Sequence, residues 1–103
     1  PMLLVAEGPV YPQFARVQQL EGFVTVAYDI TVSGNVTNVL VINSEPVGVF
    51  DNAAIEAVRD WQFLPMQRNG ASAPAERQVS TLTFKLSADE KDGAEASTSN
   101  RDW

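Results

Sequence analysis

Residues 23–42 read FVTVAYDITVSGNVTNVLVI, and this stretch decides the fold. Val24, Val26, Tyr28, Ile30 and Val32 fall on one face of an extended chain, and Thr25, Ala27, Asp29 and Thr31 fall on the other. A period of two marks a half-buried strand. Ser33-Gly34-Asn35 supplies a turn, and Val36 to Ile42 returns as a second strand. Parity slips within that return: Val36 sets one face, yet Val39–Val41 and Leu40–Ile42 are both apolar. Either a bulge sits near Asn38 or both faces are covered.

Working outward, Tyr11-Pro12 opens a helix over residues 12–20, since proline suits the first helical position. Phe14, Ala15 and Leu20 are its inward candidates, and Gly22 is expected to end it. Residues 43–48 form a loop. Asp51 is the expected N-cap of a second helix over 52–61, with Phe50 stapling against Ile55. Phe50, Ala54, Ala57, Val58 and Trp61 share one stripe of that helix. Phe63-Leu64-Pro65 is extended, Asn69-Gly70 is a turn, and residues 71–76 read as a loop. Gln78 to Leu86 is a last strand, with Leu82, Phe84 and Leu86 on one side and Thr81, Thr83 and Lys85 on the other. The expectation is an α+β fold in the order α-β-β-α-β, two helices packed on one face of a three-stranded antiparallel sheet. Residues 23–32 would lie in the middle, with the last strand on an edge.

The chain has 103 residues, no histidine, no cysteine and a net charge of −6. Without His or Cys, Ser-His-Asp and Cys-His sites and the usual zinc sites cannot be built. Disulfides are impossible. Seven scattered basic residues against 13 acids do not make a phosphate-backbone binder, so nucleic acid is not an expected partner. No apolar run approaches the roughly 20 residues of a membrane helix. Pro1 rather than Met opens the chain, which implies a fragment or a processed chain. Composition shifts after Leu86: residues 87–103 carry five acids and two bases and are expected to form a disordered acidic tail. Residues 1–8 read as the end of an upstream linker and 9–86 as the folded domain. Asp29 and Asp51 are the carboxylate pair to weigh for acid–base work, and they are better read as a solvated strand residue and a helix cap. Tyr11 and Tyr28 read as packing residues. No enzyme and no cofactor are expected.

Tyr11-Pro12, Ala15, Glu21-Gly22, V-x-V-x-Y-D-I at Val24–Ile30, Gly34-x-Val36, Val39-x-Val41, Phe50-Asp51-x-Ala53-Ala54-x-x-Ala57, Trp61-x-Phe63-x-Pro65 and Phe84-x-Leu86 follow one another at characteristic spacings. Over residues 9–86 this ordered set resembles the C-terminal domain of the TonB energy-transducing proteins. The resemblance implies a periplasmic domain carried by an inner-membrane anchor and a Pro-rich spacer. It also implies a proton-driven motor, ExbB and ExbD, working through the part not seen here. The implied partner is the TonB box of outer-membrane receptors, added as a strand beside the last strand, with uptake of iron–siderophore, heme or cobalamin cargo. The implied contacts are Val79, Ser80, Thr81, Leu82, Thr83, Phe84 and Lys85, together with Gly8, Pro9, Val10 and Tyr11 near the YP motif. A glutamine that some members carry before that motif is replaced here by Gly8.

Strand addition needs an exposed edge free of proline, and Arg77 to Leu86 has neither Pro nor Gly. About five inter-strand hydrogen bonds at a net ~0.5–1.5 kcal/mol each, less the cost of ordering the peptide, imply micromolar, reversible binding. A free edge also permits a homodimer. Two alternatives remain: a TonB-like or Tol-like envelope interaction module without a transport role, and a tail that folds back over the edge strand as an autoinhibitor. The Tol-system domain normally carries disulfide cysteines, which are absent here.

Overall fold

The computed structural model describes residues 2–86 and 94–100. In chain order the elements are β1 (Leu3–Val5), α1 (Gln13–Val17), β2 (Gly22–Ile30), β3 (Val36–Glu45), α2 (Asp51–Arg59), β4 (Gln62–Phe63), β5 (Met66–Arg68), β6 (Ala71–Ala73), β7 (Ala75–Leu86) and β8 (Ala94–Asn100). The principal sheet is antiparallel in the order β3-β2-β7-β8. β1 pairs with β4, and β5 with β6 around Asn69-Gly70, as two small separate ribbons.

The alternating strand behaves as its pattern dictates. Val24, Val26, Tyr28 and Ile30 are buried in one core with Ser80, Leu82 and Phe84 of β7 facing the same way. α2 covers that face: Ala54, Ala57 and Val58 are buried, as are Phe50 just before the helix and Trp61 just after it. The small alanines let the helix axis come close to the sheet, while Trp61 and Phe63 surround the ring of Tyr28, at centroid distances of 6.1 and 5.9 Å. The Tyr28 hydroxyl shares a hydrogen bond with the buried Ser80 hydroxyl at 2.8 Å. That bond is how a polar residue is tolerated at a core position. The opposite face of the sheet carries Thr25, Ala27, Thr81 and Thr83, none of them fully buried.

A bulge resolves the parity slip in β3, and a second one follows it. Asp29 pairs with Thr37 but Ala27 pairs with Leu40, so β3 holds one extra residue there; Thr25 pairs with Asn43 but Val26 with Val41, which inserts another. Each extra residue resets which side chains face inward. Val36, Val39 and Val41 therefore pack on the core while Leu40 and Ile42 stay exposed. Asn38 takes the left-handed conformation, φ 55°, that the first bulge needs. β7 contains a matching bulge at the same level of β2, between the Tyr28–Gln78 and Ile30–Ala75 pairs, with Arg77 at φ 54°. Between them stands Asp29, expected to be merely solvated. Its Oδ1 accepts the Arg77 backbone N–H and its Oδ2 accepts the Asn38 side-chain amide, both at 2.9 Å.

Several local expectations are corrected. α1 is a single short turn of helix that ends at Val17, not at Gly22; Gln19 adopts φ 57° instead. Phe14 is half exposed, and of the inward candidates Ala15 is fully buried and Leu20 partly so. Gly22 is the first residue of β2, where a Cβ would stand 1.9 Å from the Glu45 carbonyl oxygen: it permits close approach of two backbones rather than stopping a helix. Gly34, at φ +90°, serves a similar need, since its Cβ would lie 2.0 Å from the Phe63 carbonyl oxygen. α2 starts from Phe50 without a side-chain cap, and the Asp51 carboxylate accepts the Gly48 N–H at 3.2 Å to close the preceding loop. Residues 71–76 are not loop: they hold β6 and the start of β7, because Asn69-Gly70 turns a hairpin back on itself. Leu3–Val5, read as linker, forms a strand against β4.

The largest correction concerns the sheet edge. The sheet has four strands, and the fourth comes from the segment expected to be unstructured: β8 lies antiparallel to β7 from Ser80↔Asn100 to Leu86↔Ala94. The rest of the expected tail, residues 87–93 and 101–103, lies outside the described residues. β7 is thus flanked on both sides.

The hydrogen bonds from Arg77 and Asn38, with the Arg77 charge, hold the Asp29 carboxyl below the usual carboxylate value. A depressed folded value means that the stabilisation is complete above the unfolded carboxylate range and is lost as pH falls through the folded value. Asp29→Ala is therefore expected to be less stable than the unmodified chain at pH 7. Urea unfolding repeated at pH 3 and below checks it: the gap between the two should close progressively, and a pH-independent gap contradicts the clamp.

Candidate partner-binding edge

The edge is built by the strand that follows the Arg77 bulge. From Gln78 to Phe84 β7 pairs with β2 without a register shift, so its main chain alternates strictly. The Leu86 N–H donates to a Glu21 carboxylate oxygen at 2.6 Å, on the β2 side. The alternation then turns the N–H and C=O of Leu82 and Phe84 toward β2, and those of Thr81, Thr83 and Lys85 outward. Side chains stand perpendicular to those bonds. Leu82 and Phe84 enter the core, Thr81 and Thr83 lie on the helix-free face, and Lys85 is exposed. Thr81 Oγ1 is 2.9 Å from Thr25 Oγ1, which ties the two strands across that face. An open depression there is lined by Glu21, Phe23, Thr25, Thr81, Thr83 and Lys85.

The residues implied before and within the YP motif divide. Tyr11 reaches the edge strand from beneath: its ring meets Phe84 edge-on at 5.7 Å and Phe50 at 5.5 Å, and Phe50 stacks on Phe84 at 4.3 Å. Its hydroxyl donates to the Leu20 carbonyl, and burial, followed by the Glu21 carboxylate, raises its pKa above the ordinary tyrosine value. This is the packing role expected of it. Gly8, Pro9 and Val10 do not join it at β7. They line a groove against α2, opposite Ala53, Glu56 and Ala57, and the chain there is held by Trp61 Nε1 donating to the Glu7 carbonyl at 3.3 Å. Val10 projects into solvent. Among the described residues no group of three or more acidic side chains stands together as a metal-binding set.

Fold and edge together define a class: an α+β domain with its helices on one face of an antiparallel sheet and a long, proline-free strand toward one flank. Residues 7–86 match the family described as Gram-negative bacterial TonB protein C-terminal, and the chain belongs to that family. It is 30% identical over 86 residues to Protein TonB of Escherichia coli K12, covering 84% of this chain and 34% of that protein. It is 37% identical over 71 residues to Protein TonB of Xanthomonas campestris, covering 69% of this chain and 32% of that protein. The solution NMR structure of the Pseudomonas aeruginosa TonB C-terminal domain superposes with a TM-score of 0.73 at 28% identity, covering 85% of this chain and 88% of that one. The chain thus spans about a third of the length of these curated relatives.

Removing the Tyr11 hydroxyl while keeping the ring separates packing from contact. Tyr11→Phe should cost about 1 kcal/mol in urea unfolding, the worth of one hydrogen bond. Its affinity for any peptide bound along β7 should stay unchanged, as read by calorimetric titration.

Proposed function

We propose that this domain is the receptor-contacting end of a TonB-type energy transducer working in the periplasm. It takes the TonB box of an outer-membrane receptor as an added strand on the outer side of β7. Proton-motive-force energy reaches it from an inner-membrane ExbB and ExbD motor through the part of the protein that precedes it, and the transported cargo is an iron–siderophore, heme or cobalamin.

The observation that carries this reading is the outer ladder of β7. Seven residues of β7, Ser80 to Leu86, each have a partner in an antiparallel strand on that side. The edge is therefore regular enough to hold an extended segment in register, which is the whole requirement of β-strand addition. Affinity would come from main-chain bonds at Thr81, Thr83 and Lys85, so different box sequences remain acceptable and release remains easy. A transducer that serves several receptors and must let go needs both properties. Family membership supports the same reading.

Titration of the isotopically labelled chain with a short TonB-box peptide tests it. Amide shifts should concentrate on residues 79–86, with smaller ones at Tyr11 beneath them. Shifts centred on β3 or on the Gly8–Val10 groove would overturn the assignment. Thr83→Ala should leave affinity within about twofold, because the bond is made by the backbone. Thr83→Pro, which removes the outward N–H without touching the β2 ladder, should weaken it at least about tenfold.

A further inference from the structure

The edge assigned to the receptor box is already occupied, and its occupant comes from this same chain. β8 covers Ser80 to Leu86 pair by pair, and the only connection between the two strands is residues 87–93. We propose that β8 is a built-in competitor of the incoming strand: it holds the β7 edge in the free protein, is displaced when the partner's extended segment pairs there, and thereby sets the affinity of the site. The inference rests on the strand-addition reading above and adds the regulation of that site.

The composition of β8 suits a strand that must leave. It reads Ala-Glu-Ala-Ser-Thr-Ser-Asn, with Thr98 its one β-branched residue and no large apolar residue. Alanine, glutamate and asparagine are all depleted in strands, and a strand's side chains normally earn its place by packing. A segment of this composition offers little apolar surface, which leaves main-chain pairing to β7 as its hold. β7 itself is anchored independently of β8, by its inner ladder to β2 and by Leu82 and Phe84 in the core. Loss of β8 therefore leaves β7 in place with Thr81, Thr83 and Lys85 unpaired on their outer side, ready for another strand.

The tether makes weak pairing effective. A segment tethered through only seven residues, 87–93, is present at an effective concentration of about millimolar, whereas a receptor segment arrives from solution. The partner therefore has to outbid β8 with side chains β8 lacks: an extended segment with β-branched or aromatic residues at alternate positions. An occupied edge also protects the free domain. A bare edge from Ser80 to Leu86 would be open to pairing with a second copy, and β8 covers those seven residues until the right segment displaces it. When the competent state is only a fraction of the molecules, apparent affinity falls by that fraction.

Register identifies the variant that isolates this effect. Thr83 stands opposite Ser97, and because the Thr83 N–H points outward the two residues form a hydrogen-bonded pair. Ser97→Pro removes the β8 donor of that pair and leaves every residue of β7 unchanged. Glu95→Lys places like charges opposite each other at Lys85 and weakens β8 a second way.

The test is calorimetric titration of a short TonB-box peptide into the 103-residue chain, the Ser97→Pro chain and a chain ending at Glu90, each checked for folding by circular dichroism and a thermal melt. Ser97→Pro and the shortened chain should bind about tenfold tighter than the unmodified chain, corresponding to an edge open about a tenth of the time. Glu95→Lys should fall between. Equal affinity in all forms overturns the inference while leaving strand addition standing. Weaker binding in the variants also overturns it, since the peptide would then be riding on β8 instead of replacing it. If no form binds the peptide, the strand-addition reading itself has failed, and the competitor with it. Should the shortened chain fail to fold, the two full-length variants decide the question.

Discussion

Asp29 accepts hydrogen bonds from two bulged strands at once, from the Arg77 backbone N–H and from the Asn38 side chain, and so ties together the bulges that flank β2 at its level. Each bulge inserts one residue, and each insertion reverses which residues face the core. On the β3 side the reversal puts Val39 and Val41 against α2 and leaves Leu40 outside. On the β7 side it puts Ser80, Leu82 and Phe84 inward. The main-chain bonds of Thr81, Thr83 and Lys85 are thereby aimed away from β2. An acidic side chain outside the core thus clamps the bulge from which the regular part of β7 begins.

The chemistry available at that flank is narrow. No histidine or cysteine exists in the chain, and the side chains of the edge strand are mostly committed: Leu82 and Phe84 to the core, Ser80 to Tyr28, Thr81 to Thr25. What is left is the backbone, a donor and an acceptor at every second residue. On the proposed reading, such a surface would take extended chain of almost any sequence, and weakly, because each bond replaces one to water. Specificity then has to come from exclusion of poor competitors. A low-propensity strand from the same chain, seated on the edge, raises the threshold that any incoming segment must pass.

Much of this fold is legible in the sequence itself. The alternation from Val24 to Ile30 and the stripe Phe50, Ala54, Ala57, Val58 and Trp61 depend only on which faces are apolar, and burial enforces both. The ordered motifs pointed to the TonB family, to which the chain belongs. The rest was hidden for physical reasons. The need for glycine at residue 22 comes from the backbone of Glu45, which no local pattern reports. The clamp at Asp29 joins residues 9 and 48 positions away, so the residue reads locally as an ordinary exposed acid. β8 was illegible because its composition lacks the apolar face by which strands are recognised; its pairing with β7 is what makes it a strand. Of the implied contacts, the β7 residues and Tyr11 come together, while Gly8, Pro9 and Val10 lie against α2.

Amide hydrogen exchange at Thr81, Thr83 and Lys85 tests the central claim most directly, because it reads the outward bonds one by one. These three amides should exchange about tenfold more slowly in the unmodified chain than in the Ser97→Pro chain, as an edge open about a tenth of the time requires, and should slow again once that chain is saturated with a TonB-box peptide. Leu82 and Phe84, bonded toward β2, should stay protected throughout. Rapid exchange at Thr81, Thr83 and Lys85 in the peptide-saturated Ser97→Pro chain would contradict the account.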